Sequence, residues 1–285
     1  MKKPLLISLA LLFSTQLFAQ SSVWKAEKDG ATVYLGGTIH VLLQSDYPLP
    51  EEFAKAYQAA EIVTFETDIS RLQDPALAQV MMQKLSYNDA RTLNSQVSAE
   101  TYQKLNDYAQ GYGIKLEMLK NFKPGLVMST FLGLELQKMG ATAEGIDAHF
   151  LNQAKRDGKQ TFYLETIEQQ MDFLARMGVG KEDHFYQNML RDFTQMQQQM
   201  SQIIRHWRTG DSRGLDAFAN QPMAKDYPEI FQFLLIDRNN QWMPSVEQYF
   251  TTKEVEFVMV GAAHLVGEHG LIAQLKAKGY QVTQL

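Results

Sequence analysis

The chain has 285 residues, no cysteine and a formal net charge of −5. Without a thiol there are no disulfides, no thiolate metal ligands and no cysteine nucleophile, so stability has to come from a buried core. The charge is spread along the chain with no basic stripe, which argues against nucleic acid as a partner.

Residues 1–19 read as a secretory signal peptide. Lys2 and Lys3 precede the apolar run "PLLISLALLF", and a small residue, Ala19, closes the stretch. The run is short for a membrane span and no later stretch resembles one. The expectation is a periplasmic or secreted protein with no integral membrane segment after cleavage. The remainder, residues 20–285, is expected to form a single α/β domain.

"SSVWKAEKDGATVYLGG" predicts a β-hairpin, because Asp29-Gly30 suits the type I′ turn between two strand-like runs. The helical "PEEFAKAYQAA" and the strand-like "EIVTFE" follow, an order that predicts a parallel pair. From Pro75 to about Met139 the pattern is helical, and a Gly-containing connection, "GATAEGIDAHF", leads into another helix. "KQTFYLE" then reads as a short strand and "TIEQQMDFLARMG" as the helix after it. Between Lys181 and Gly210, Met189, Phe193, Met196, Met200 and Ile203 recur at steps of three and four. They mark one apolar face of a long helix, and a packed core suits these thioethers better than a metal or haem surface. More helix follows before the closing strand–helix–strand of "EVEFVMVG", "GEHGLIAQLKAKG" and "YQVTQL". The expected fold is α/β: a parallel-rich central sheet flanked by helices, with a large helical content inserted at about 75–140 and 181–250.

Chemistry gathers where the predicted strands end. His40 follows "TVYLGG", Glu66 follows "EIVTF", Glu165 follows "QTFYL" and His264 follows "EFVMVG". Ligands of open α/β sheets bind beyond the carboxyl ends of the strands. Two imidazoles and two carboxylates there make the inventory of a hydrolytic metal site. Both histidines stand in Gly-x-x-His, with Gly37 and Gly261 expected to let the chain turn and a ligand approach. Each residue has a plainer reading as well: a lone histidine is often a hydrogen-bonded structural group, and Glu165 in "ETIEQQ" can cap a helix. His-Glu-x-x-His, Gly-x-Ser-x-Gly and Gly-x-Gly-x-x-Gly are all absent.

The segments "YLGGTIHVL", "FETD", "GIDAHF", "FYLETIEQQMDFL", "DRNNQWM" and "FVMVGAAHLVGEHGLIAQLKAKGYQV" resemble the TraB/GumN family. That family also contains the Tiki metalloproteases and the pheromone-shutdown proteins. The resemblance implies a fold related to erythromycin-esterase-like and ChaN-like proteins. It also implies His40 and His264 as metal ligands and Glu66 as the matching acid. Glu165 and Gln169 fall in the "LET-x-x-Q" segment, Arg238 and Asn239 match the "RN" pair, and Asp147 in "GID" takes a supporting place. The expected function is metal-dependent hydrolysis, of a peptide or else a small molecule, with a divalent ion of Mn, Co or Zn type. Glu165 is the expected general base or a fourth ligand, Arg238 the oxyanion stabiliser and Asn239 the substrate-orienting group. Two alternatives stand beside this: a metal-independent esterase-like hydrolase using a histidine base, and a non-enzymatic binding protein for a small molecule or haem.

Overall fold

The structure, a computed structural model, describes residues 20–141 and 145–285. The signal peptide expected over residues 1–19 lies outside the described residues. Six strands form one sheet: β1 (Val23–Lys28), β2 (Ala31–Thr38), β3 (Ile62–Phe65), β4 (Gln160–Tyr163), β5 (Glu256–Gly261) and β6 (Gln281–Gln284). Their order across the sheet is β4-β3-β5-β2-β1-β6. β4, β3, β5 and β2 run parallel, while β1 is antiparallel to both β2 and β6.

The β1–β2 hairpin closes as the sequence requires. Asp29 has φ 52° and Gly30 φ 88°, the two positive values of a type I′ turn. The expected pairing of the second and third strands takes a different form. β2 and β3 are parallel but not neighbours, because β5 lies between them. The physical reason is burial. Glu256 to Val260 are all buried, so both faces of β5 are covered and the middle of the sheet is the place that covers them. The two ends of the chain thereby become adjacent, with Gly37 opposite Val260 and Thr38 opposite Gly261.

Helices fill the intervals. α1 (Glu51–Ala59) precedes β3. Between β3 and β4 come α2 (Pro75–Leu85), α3 (Leu93–Gln96), α4 (Ala99–Gly111), α5 (Pro124–Lys138) and α6 (Ile146–Asp157). Between β4 and β5 come α7 (Ile167–Arg176), α8 (Glu182–Arg208), α9 (Ser212–Leu215), α10 (Gln221–Asp226), α11 (Pro228–Phe231) and α12 (Asp237–Tyr249). α13 (Ala262–Leu265) and α14 (Leu271–Ala277) follow β5. One apolar core packs on the sheet, and a second, around Leu105, Phe131, Phe185 and Met189, joins α4, α5 and α8.

α8, about 40 Å long by helix rise, links these two cores. Met189 and Met196 are buried on the face the methionine spacing marked out. At its far end Trp207 is buried, and its indole donates to the Gly37 carbonyl at 2.7 Å. That bond ties the helix to the last turn of β2, just before His40. Among the described residues no helix is long and apolar enough to cross a membrane.

Candidate active site

The four residues singled out at the strand ends lie along one rim of the sheet, because the parallel strands stop in register. Phe65 sits opposite both Tyr163 and Met259, so Glu66 and Glu165 leave the sheet side by side and next to Gly261. Gly261 is the shared point. A side-chain carbon built on it would lie 3.2 Å from Glu66 Oε1, 3.5 Å from His264 Cδ2 and 3.7 Å from His40 Nε2. Its own N–H donates to Glu66 Oε1 at 2.6 Å. Neither Gly37 nor Gly261 uses a left-handed backbone. The expected sharp turn is therefore not their role. Gly261 leaves space among three functional groups, and Gly37 lets Ala262 approach, at 3.0 Å from where a Cβ would stand.

Each imidazole is oriented through Nδ1. His40 shares a 2.8 Å bond with Asp147 Oδ2. Asp147 reaches it because Gly145 packs on the His40 backbone, where a Cβ would overlap the His40 carbonyl. The Asp147 carboxylate beside it raises the His40 pKa to about 9. His264 Nδ1 bonds Asn239 Oδ1 at 2.7 Å. Asn239 Nδ2 is spent on the carbonyls of His264 and His269, which fixes the amide orientation, so His264 must donate through Nδ1. Its Nε2 then carries the lone pair. Burial pushes the His264 pKa down to about 3, so this ring is neutral.

Arg238 binds the rest together. Its Nη2 donates to Glu66 Oε2 at 2.6 Å and to Glu165 Oε1 at 2.7 Å. Nε donates to Glu165 Oε2 at 3.2 Å, and Nη1 serves the Leu234 carbonyl and His264 Nε2, the latter at 3.0 Å. Burial alone would raise the Glu66 pKa, but Arg238, the two histidines and the Gly261 amide outweigh it and hold that carboxyl at about 2. A π-helical turn, Gln232–Ile236, immediately precedes Arg238 and Asn239 and feeds both inward.

These bonds bear on three of the expected roles. Every N–H of Arg238 is engaged, so none is left for an oxyanion in this arrangement. Asn239 is likewise saturated and orients His264, not substrate. Glu165 accepts from Arg238 through both oxygens and from Trp242 Nε1 at 3.1 Å, which makes it Arg238's anchor. Gln169, expected in a structural or supporting place, closes a capping box with Thr166 at the start of α7, and the neighbouring Gln170 reaches Glu66 Oε2, at 3.3 Å. The Thr-x-x-Gln spacing signals that cap. Trp242 and Trp207 carried no comparable signal, since a buried indole in a helix reads as core.

His40, Glu66, Asp147, Gln170 and the apolar Ile69 and Leu72 line a cavity of about 260 Å3. His40 is the exposed member, with 65% of its side chain accessible, while Glu66, Glu165, Arg238 and His264 are buried. Among the described residues no three acidic or histidine groups stand at ligand spacing. The donor types are those a divalent ion takes: His40 Nε2, the Cδ2 edge of the His264 ring and one Glu66 carboxylate oxygen stand around the point where a Cβ on Gly261 would lie, while His264 Nε2 is turned to Arg238.

The rim site and the parallel-rich sheet define an α/β protein with a histidine–carboxylate centre. The chain belongs to the TraB/PrgY/gumN family, whose model matches residues 22–284. It is similar to two proteins called Metalloprotease TIKI1. With that of Danio rerio it shares 21% identity over 92% of this chain and 62% of the relative. With that of Xenopus tropicalis it shares 22% over 92% of this chain and 61% of the relative. The chain thus spans about three fifths of the length of these relatives. No solved structure gives a significant match.

Proposed function

We propose that this chain is a hydrolase of peptide bonds, with His40, Glu66 and His264 as the residues that take up a divalent ion of Mn, Co or Zn type. The observation that carries the reading is the convergence of one carboxylate and two oriented imidazoles on the side-chain-free point at Gly261. The similarity to proteins named as metalloproteases supports the same chemistry. An ion held there would bring the pKa of a bound water toward neutrality. The chain's own residues do the rest. Asp147 fixes His40 with Nε2 toward the cavity, and Asn239 fixes His264 as the Nδ1–H tautomer. Arg238 keeps Glu66 ionised in a buried setting, and Glu165 with Trp242 holds Arg238 in place. Ile69 and Leu72 offer the apolar wall against which a substrate side chain can rest. The working compartment is the periplasm or the exterior, in keeping with the basic and apolar start of the chain.

The test is peptide cleavage by the purified protein, with a chelator and after addition of each metal in turn. The expected result is loss of activity with chelator, recovery with one or more ions, and no activity in His40→Ala or His264→Ala. Activity that survives in chelator and in both variants would reject the assignment. A second reading draws on one specific observation, the Arg238 bond to His264 Nε2. In it no ion is needed, and the Asp147-supported His40 takes the proton from water in its neutral form. It reaches that form only as pH rises toward about 9, so activity should climb with pH over that range. Activity that withstands chelation but not His40→Ala selects that reading.

A further inference from the structure

α7 runs from the rim toward a second cavity. Gln170 touches Glu66, and Phe173 lies beneath the Arg238 guanidinium at 5.4 Å. Phe173 also stacks on Phe233 at 6.3 Å, and Arg176 covers the Phe233 ring at 4.7 Å. These three α7 residues follow each other at steps of three, so Gln170 and Arg176 are about 9 Å apart along the helix axis. Arg176 and Phe233 belong to a cleft of about 320 Å3 that Phe185, Tyr227, Lys225 and His184 help to line. An adjoining hollow shares Arg176 and Phe233 and runs back to Asp237, the residue before Arg238.

Charge in this cleft is unbalanced in a specific way. Its carboxylates are already held, Asp226 by Arg191 at 2.8 Å and Glu229 by Lys181 at 2.6 Å. His184 is turned to Asn188. Arg176 and Lys225 are exposed and have no acidic partner among the described residues. Two cations without an acidic partner, Arg176 over the Phe233 ring and Lys225 on the same cleft, suit a carboxylate on an otherwise apolar segment.

We propose that this cleft is a subsite for the acidic side chain of an extended peptide, held by Arg176 and Lys225. It rests on the peptidase reading above. An extended chain advances about 3.3 Å per residue, so the acidic residue lies about three residues from the bond that is cut.

The test is a set of neutral, C-terminally amidated peptides in which a single glutamate is walked along the sequence, with a glutamine version of each. Fragments are read by mass spectrometry and affinities by calorimetric titration. The expected result is a cleavage position that moves in step with the glutamate. The glutamine peptides should show a KM about tenfold higher at similar kcat. Arg176→Gln and Lys225→Gln should each reduce that preference; both side chains are exposed, so folding is retained. Equal affinity of the wild-type protein for glutamate and glutamine peptides overturns the subsite. So does a preference that follows only a free terminal carboxylate, or cleavage that ignores the glutamate position. If no peptide is cut, yet glutamate peptides bind more tightly and only with Arg176 and Lys225 present, the subsite stands and the peptidase reading falls.

Discussion

An added carbon at Gly261 would take up the space among the three groups. A methyl group there would sit 3.2 Å from Glu66 Oε1, so that carboxylate has to shift, and would stand in contact with His264 and His40 at 3.5 and 3.7 Å. Gly261→Ala is therefore expected to reduce kcat/KM at least about tenfold, because small displacements of catalytic groups are costly. Its thermal midpoint should stay near wild type, which calorimetry checks. Arg238 behaves oppositely. It is the cation between two buried carboxylates. Arg238→Met should leave them uncompensated and lower the unfolding free energy by about 3–5 kcal/mol in urea titrations. At this scale the sequence showed which residue types reach the rim. It did not show how their bonds are shared. Only geometry reveals that Arg238 and Asn239 have no donor left over, and that Glu165 faces Arg238 instead of the cavity.

At the level of elements, α7 separates stability from function on adjacent residues. Gln169 closes the cap with Thr166, and Gln170 touches Glu66. Gln169→Ala should lower stability by about 1 kcal/mol with kcat/KM unchanged. Gln170→Ala should change kcat/KM with little effect on the thermal midpoint, and paired melting and kinetic measurements separate the two. The strands themselves were legible because Asp29-Gly30 fixes a hairpin and "EFVMV" is apolar without alternation. The order of strands was not, since the insertion of β5 between β2 and β3 depends on which strand needs cover on both faces. The long methionine-striped helix was also legible. Its role in holding Gly37 through Trp207 was not, because the partner lies far away in sequence and is a backbone carbonyl.

For the molecule as a whole, one buried carboxyl sets a dependence of stability on pH. Glu256 begins β5 at the end of the sheet away from the rim, with no hydrogen-bond partner for Oε2 among the described residues. Burial raises its pKa to about 7. The folded state therefore holds this proton more tightly than the unfolded chain. Its contribution is complete below the ordinary carboxyl range near 4.5 and is lost as pH rises through about 7. The buried, neutral His264 works in the opposite sense over part of that interval, so the check is the difference between wild type and Glu256→Gln. The wild-type denaturant midpoint should fall relative to the variant between about pH 4.5 and 7, leaving the variant the more stable at pH 8.

The sheet also brings residues from opposite ends of the chain into one place, and the proposed chemistry depends on that meeting. Counting bound Mn per chain by equilibrium dialysis tests it most directly. The account predicts one ion per wild-type chain, lost equally from His40→Ala, Glu66→Gln and His264→Ala. An ion that stays bound in all three variants would contradict it.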